Sequence, residues 1–114
     1  MKLTSRTIAT YQVAVVDFVG RFDAHEKPQV KQCLDSVAVS AHGRVIVNMS
    51  GVNFVDVAAL SQLDQSRKLC RKQHGDMHLC NLKQPVRIIF ELMSLDKSFR
   101  IFSDEAEALA AFVN

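Results

Sequence analysis

Runs of apolar residues along the chain predict five β-strands. The clearest covers residues 11–19, where YQVAVVDFV alternates and is rich in β-branched and aromatic side chains. Residues 4–10 are a weaker candidate that could pair with it as a hairpin. The run RVIVNM at residues 44–49 is typical of a strand buried on both faces and predicts the central strand of a sheet. Two short strands are predicted at residues 77–82 and 100–102.

Four segments with helical spacing of apolar residues follow these strands, and they predict helices over residues 27–39, 57–73, 84–93 and 104–113. Pro28 fits the first turn of the first helix, where a missing backbone N–H is tolerated. Asp56 is placed to cap the second helix through its carboxylate. Two glycine-containing stretches, residues 20–23 and 50–53, are predicted to be turns that end the two long strands.

The alternation of strands and helices predicts a single α/β domain over residues 1–114. A chain of 114 residues can bury one core and is too short for two. Consecutive strands joined by helices favour a sheet with right-handed crossovers and helices packed on it.

Composition and charge narrow the classes of partner. Apolar residues make up 48% of the chain and charged residues 23%, which excludes a disordered protein. The net charge of +2 is too small to indicate a surface for nucleic acid. The grouped cations are expected to form the solvated side of one helix: Arg67, Lys68, Arg71 and Lys72.

No segment of the chain predicts membrane insertion or export. The first ten residues lack the apolar stretch of a signal peptide, and no run approaches the roughly 20 apolar residues that cross a bilayer. The three cysteines, Cys33, Cys70 and Cys80, lack the dense spacing of a disulfide scaffold. These features predict a soluble protein of the reducing cytoplasm.

The chain lacks the motifs that bind cofactors, and its best metal candidate is poorly spaced. None of the four glycines begins a phosphate-binding loop, so no cofactor is predicted. Four metal-ligating side chains fall within eleven residues: Cys70, His74, His78 and Cys80. They would be spread over a helix end, a turn and a strand rather than the tight pairs of a zinc site. Cys80 is therefore predicted to be a small core residue, and no metal site is expected.

Catalysis is not predicted either. Asp56 ends a predicted strand, where a catalytic carboxylate could stand, but it has no acidic or basic partner nearby in the sequence. A lone acid before a helix is more often a cap. Cys33 lies on the apolar side of its helix, which predicts packing rather than reactivity.

Several motifs, in the same order along the chain, resemble STAS domains of the anti-sigma factor antagonist type. Residues 48–60, NMSGVNFVDVAAL, resemble the family signature, in which a buried strand is followed by a small-residue turn, Phe, an apolar residue and Asp-Ser-Ser-Gly-Leu. Residues 17–24, DFVGRFDA, resemble the family's Gly-Arg-Leu-Asp-Ala turn. Residues 75–81, 86–95 and 99–112 resemble its fourth strand, third helix and closing strand and helix. The resemblance covers nearly the whole chain.

The resemblance implies a STAS fold, with a mixed, mostly parallel sheet of about five strands and about four helices largely on one side. It also implies a protein partner, an anti-sigma factor of the histidine-kinase-like ATPase type. In typical antagonists this partner phosphorylates the first serine after the motif's Asp, which weakens the complex. The implied working surface is the start of the second helix and the loop before it. In this chain it comprises Asp23, Asn53, Asp56, Val57, Ala58 and Ser61.

The chain departs from the family pattern at the phosphorylated position. Val57 stands where the family has that serine, Ala58 and Ala59 replace the next serine and glycine, and Asn48 replaces an aspartate. Because valine has no hydroxyl, phosphorylation at this position is not expected. Ser61 lies one helical turn further on and is interpreted as a small surface residue rather than a substitute.

The departure leaves two functions open, and a third is disfavoured. The chain could be an antagonist without its phosphorylation switch. It could also be a scaffold or adaptor, such as a stressosome-like component or the cytoplasmic partner of a lipid or anion transporter. Nucleotide binding or weak hydrolysis near Asp23, Asn48 and Asp56 is disfavoured, because two acids repel phosphates unless a metal intervenes. A homodimer is also left open.

Overall fold

A computed structural model describes residues 1–113 of the chain. Over these residues five strands form one sheet, and four α-helices pack on its two faces. In chain order the elements are β1 (Lys2–Ile8), β2 (Val13–Phe22), α1 (Lys27–Ser40), β3 (Arg44–Val55), α2 (Val57–Lys72), β4 (Asp76–Cys80), α3 (Gln84–Leu92), β5 (Arg100–Phe102) and α4 (Glu105–Val113). Short 3-10 turns precede α1 and β5, at Ala24–Glu26 and Leu95–Lys97.

The sheet is mixed and mostly parallel, which confirms the predicted fold class. Its strand order is β1-β2-β3-β4-β5; β1 pairs antiparallel with β2, and the remaining pairs are parallel. The weak strand candidate at residues 4–10 is therefore a hairpin strand, and β3 is central. Asn114 lies outside the described residues.

Two apolar layers cover the sheet. The larger core lies between the sheet's inner face and α1–α3, and its members include Phe18, Phe22, Leu34, Met49, Leu63 and Phe90. A smaller cluster lies on the outer face beneath α4, with Val13, Val15, Ile46, Cys80 and Ala108. Three of the four helices thus share one side, as expected.

The predicted turns at residues 20–23 and 50–53 are wrong, because β2 continues to Phe22 and β3 to Val55. Along this extension β3 advances three residues for every two of β2, so that Asp17, Val19 and Arg21 face Asn48, Gly51 and Phe54. Each extra residue is a β-bulge. The buried residues of β3 are consequently spaced by three, at Met49, Val52 and Val55. That spacing does not match the alternation by which a strand is predicted.

His78 joins β4 to α4 on the outer face of the sheet. Its ring stacks on Phe112, with centroids 3.8 Å apart, and its Nδ1 hydrogen-bonds the Ala108 carbonyl at 3.0 Å. Only 2% of the residue is exposed. Burial lowers the pKa of His78, and Arg100 adds to this, against opposing effects from the Ala108 carbonyl and Asp76.

This depressed pKa predicts a loss of stability at acidic pH. The neutral ring is favoured in the folded chain, so its contribution is fully present above the unfolded-state pKa of about 6.5. It is lost as the pH falls from there through the folded-state pKa of His78. We expect urea unfolding to show a lower free energy of unfolding at pH 5 than at pH 7.5. His78→Phe should reduce this difference, and an undiminished difference in that variant would show that His78 is not its source.

Candidate docking surface

The Asp56 carboxylate joins the starts of two helices at the carboxyl ends of β2 and β3. Its Oδ1 accepts a hydrogen bond from the Ala59 N–H at 2.8 Å, which confirms the predicted cap of α2. Its Oδ2 accepts a second bond from the Ala24 N–H at 3.1 Å, in the 3-10 turn that leads into α1. One side chain therefore positions both the β2–α1 and the β3–α2 corners.

Asp23 lies beside this junction and is also held by two bonds. Its Oδ1 accepts from the His25 N–H at 3.0 Å, and its Oδ2 accepts from Arg21 Nε at 3.1 Å. Desolvation raises the pKa of Asp23, but the bonds from Arg21 and His25 outweigh it, so the pKa lies below its usual value. The carboxylate is thus kept ionised and turned toward its own loop.

The first turn of α2 presents an apolar side chain to solvent. Val57, the first helical residue, is 61% exposed, whereas Ala59 and Leu60 are buried in the core. Ala58 is half-buried and Ser61 is exposed. Because Val57 and Ser61 are four residues apart, they share one face of the helix.

The six predicted partner-binding residues occupy one edge of the molecule, and we call them the docking surface: Asp23, Asn53, Asp56, Val57, Ala58 and Ser61. Asn53 is exposed near the end of β3, and its Oδ1 accepts a bond from Lys83 Nζ at 3.1 Å. Lys83 precedes α3, so this bond links the start of α3 to the same edge. The contact of the edge with a partner stays a prediction.

Three neighbouring residues extend this edge and were not predicted as part of it. Phe54 is 38% exposed and Val19 is 50% exposed. The Arg21 guanidinium lies 3.6 Å from the centroid of the Phe54 ring, a cation–π contact. The pairing of Arg21 with Phe54 depends on the two bulges of β3, which no local sequence signal indicates.

Asn48 lies apart from the docking surface, so the predicted group of Asp23, Asn48 and Asp56 does not form one groove. Asn48 Oδ1 accepts from the Ser50 N–H at 3.0 Å, and Nδ2 donates to Glu105 at 3.4 Å, at the start of α4. Glu105 also pairs with Arg6 on the outer face of the sheet. Asp23 and Asp56 are linked by Ala24, which follows Asp23 and donates its N–H to Asp56. Asn48 instead bonds the start of α4.

The four candidate metal ligands are likewise not brought together, and His74 lies in the turn after α2. Cys70 packs in the inner core, whereas His78 and Cys80 face α4. Within residues 1–113 no cluster of three or more histidine, cysteine or acidic residues could hold a metal ion. Burial, together with nearby acids, raises the pKa of Cys70 and of Cys80 to about 12, so both thiols stay protonated and act as small core residues.

None of the helices described over residues 1–113 has the length and apolar character needed to cross a membrane. This finding applies to α2, the longest of them.

The exposed side of α2 carries Lys68, Arg71 and Lys72. The exposure of these three cations agrees with the predicted solvated helix side. Arg67 differs, because it is buried and donates to Asp64 at 3.1 Å.

Comparisons with known proteins agree with this architecture. Residues 5–108 match the STAS domain family. The chain is 24% identical over 98 residues to an anti-sigma F factor antagonist of Paenibacillus polymyxa, with 85% of this chain and 84% of that protein covered. Its fold is similar to an anti-sigma-factor antagonist (STAS) domain protein from Planctomyces limnophilus, with a TM-score of 0.86 and 20% identity over 98% of both chains. It is also similar to an anti-sigma factor antagonist from Mycobacterium paratuberculosis, with a TM-score of 0.84 and 22% identity over 99% of this chain and 96% of that one. The chain belongs to the STAS domain family.

Proposed function

We propose that this chain is an anti-sigma factor antagonist that binds an anti-sigma factor of the histidine-kinase-like ATPase type and so promotes sigma-dependent transcription. The relative from Paenibacillus polymyxa is an anti-sigma F factor antagonist, which supports an anti-sigma factor as the partner. The chain itself acts by binding and performs no catalysis. The observation that carries the proposal is the exposed apolar side chain of Val57 at the start of α2.

Val57 is suited to the centre of a protein contact. Burying a whole valine side chain stabilises a contact by about 1.5–3 kcal/mol, and 61% of this residue is available for burial. Interface centres are depleted of charge. The Asp56 carboxylate beside it is engaged by two backbone N–H groups, so it adds little free charge to the contact.

The same residue removes the phosphorylation switch from this position. In our proposal Val57 stands where related antagonists carry the serine that their partner phosphorylates. A valine side chain has no oxygen to accept a phosphoryl group. The complex of this chain is therefore released by some means other than modification at residue 57.

Val57→Asp tests the proposed surface. An acid at the first position of a helix favours the helix dipole, so the variant should melt within a few degrees of the wild-type chain. It places an uncompensated charge in the contact, and we expect its affinity for the purified histidine-kinase-like anti-sigma factor to fall by about 100-fold or more in calorimetry.

Val39→Asp is the matched control. Val39 is 60% exposed, like Val57, but it lies in the last turn of α1, about 18 Å along the helix from Lys27. We expect Val39→Asp to bind like the wild-type chain. Unchanged binding by Val57→Asp would reject this surface. Failure of the wild-type chain to bind would reject the proposed partner and favour an adaptor role.

A further inference from the structure

The outer face of the sheet is left uncovered by α4 at the carboxyl ends of β2 and β3. α4 covers Val13 and Val15 of β2 and Ile46 of β3. β2 and β3 continue beyond it, and there Val19 is 50% and Phe54 38% exposed. Sheets with parallel strands usually have both faces covered, so this extension is unusual. It adjoins the docking surface, because Arg21 on this face donates to Asp23 of that surface at 3.1 Å.

Arg21 is held in a fixed position on this face with its binding groups free. Its Nε donates to Asp23 at 3.1 Å, and its guanidinium carbon lies over the Phe54 ring, 3.6 Å from the centroid. The bond to Asp23 uses only Nε, so the two terminal NH2 groups of this side chain, which is 64% exposed, are available to a partner. A guanidinium held in this way is pre-organised to bind a carboxylate through two parallel hydrogen bonds.

The charges around this face favour an acidic partner. The acids of the edge, Asp23 and Asp56, are each bonded through both oxygens to groups of this chain. Arg21 is paired with Asp23 through Nε alone, which leaves its terminal NH2 groups directed outward, and Lys83 bonds only the neutral side chain of Asn53 among the residues described. A partner approaching Val19 and Phe54 thus meets two exposed apolar side chains next to the terminal NH2 groups of Arg21.

We infer that the anti-sigma factor reaches around the edge of the sheet and binds this outer face with a carboxylate next to an apolar side chain. The carboxylate pairs with Arg21, and the apolar side chain packs on Val19 and Phe54. This inference rests on the proposed function and adds to it the chemistry by which the partner is selected. It also makes the contact larger than the start of α2 alone.

The test measures the affinity of the purified anti-sigma factor for Arg21 variants of the full chain at several salt concentrations. We expect Arg21→Gln to lower the affinity by about tenfold at low salt and to weaken the dependence of affinity on salt. Arg21→Lys keeps the charge but loses the planar fork, and it should lower the affinity by about threefold. Arg71→Gln, which removes an exposed cation from the last turn of α2, is the control for net charge and should bind like the wild-type chain.

The outcomes separate this inference from the proposed function. If Val57→Asp loses binding while Arg21→Gln binds within twofold of the wild-type chain, the outer face is not part of the contact and the inference is overturned alone. If the wild-type chain does not bind the anti-sigma factor, both are overturned. A wild-type dimer in light scattering that Arg21→Gln converts to a monomer would assign the face to a second copy and would also overturn the inference.

Discussion

Replacing Asp56 with alanine is expected to lower the free energy of unfolding by about 2–3 kcal/mol. The variant loses the cap of α2, which is typically worth about 1 kcal/mol, and a second charge-assisted bond to the Ala24 N–H. The Ala59 N–H lies at a buried residue, so water only partly replaces the bond that it loses. For a domain of this size the melting temperature should fall by roughly 10–20 °C, which calorimetry or circular dichroism can measure.

Two further variants test whether the loss of stability in Asp56→Ala comes from the two bonds that Asp56 accepts. Asp104→Ala removes a comparable cap with a single bond, to the Glu107 N–H at 2.9 Å, and should cost about 1 kcal/mol or less. Asp56→Asn keeps an oxygen for Ala59 but turns its NH2 toward the Ala24 N–H, so it should be intermediate. If Asp56→Ala and Asp104→Ala are equally stable, the bond to Ala24 contributes nothing and the two corners are not coupled through Asp56.

The parts of the fold that follow regular periodicity could be predicted from the sequence. The buried run at residues 44–49 indicated the central strand, and helical spacing located α1 to α4 to within a few residues. The cap at Asp56 was predictable because it depends on residues adjacent in the chain. The hairpin of β1 and β2 was indicated more weakly, since β1 is a mostly exposed edge strand with few apolar residues.

The ends of β2 and β3 could not be predicted, because their pairing depends on a non-local register. Residues 50–53 contain Gly51 and polar side chains and resemble a turn. In the structure, a Cβ at Gly51 would lie only 2.8 Å from the Phe18 carbonyl oxygen of the neighbouring strand. The glycine thus permits close approach of two strands rather than a reversal of the chain. The cation–π contact of Arg21 with Phe54 follows from the same register.

Motifs could name the residues of the docking surface, but they could not show that its two segments lie together. Residues 53–61 are contiguous in the chain, so a motif could indicate them together. Asp23 comes from another strand end, and the bond that the Ala24 N–H donates to Asp56 brings its loop to the site. A strand that ends at residue 49 places Asn48 near Asp56, whereas the longer β3 separates the two residues.

The second large effect concerns the phosphorylation switch. In the presence of ATP, we expect the complex of the wild-type chain with its kinase-like anti-sigma factor to persist. Val57→Ser places a hydroxyl at the first residue of α2, and we expect it to be phosphorylated and released. A phosphate at this exposed position adds nearly two negative charges within the contact and beside Asp56, which is enough to break it. Ser61→Ala should behave like the wild-type chain, because Ser61 is not the modified residue.

The most direct measurement of the central claim is capture of the tagged anti-sigma factor with this chain, before and after addition of ATP and magnesium, followed by intact-mass spectrometry. We expect the wild-type chain to be captured in both conditions with its mass unchanged, and Val57→Ser to gain the mass of one phosphoryl group and leave the complex. A wild-type chain that is not captured, or that gains a phosphoryl group and is released, would contradict the claim.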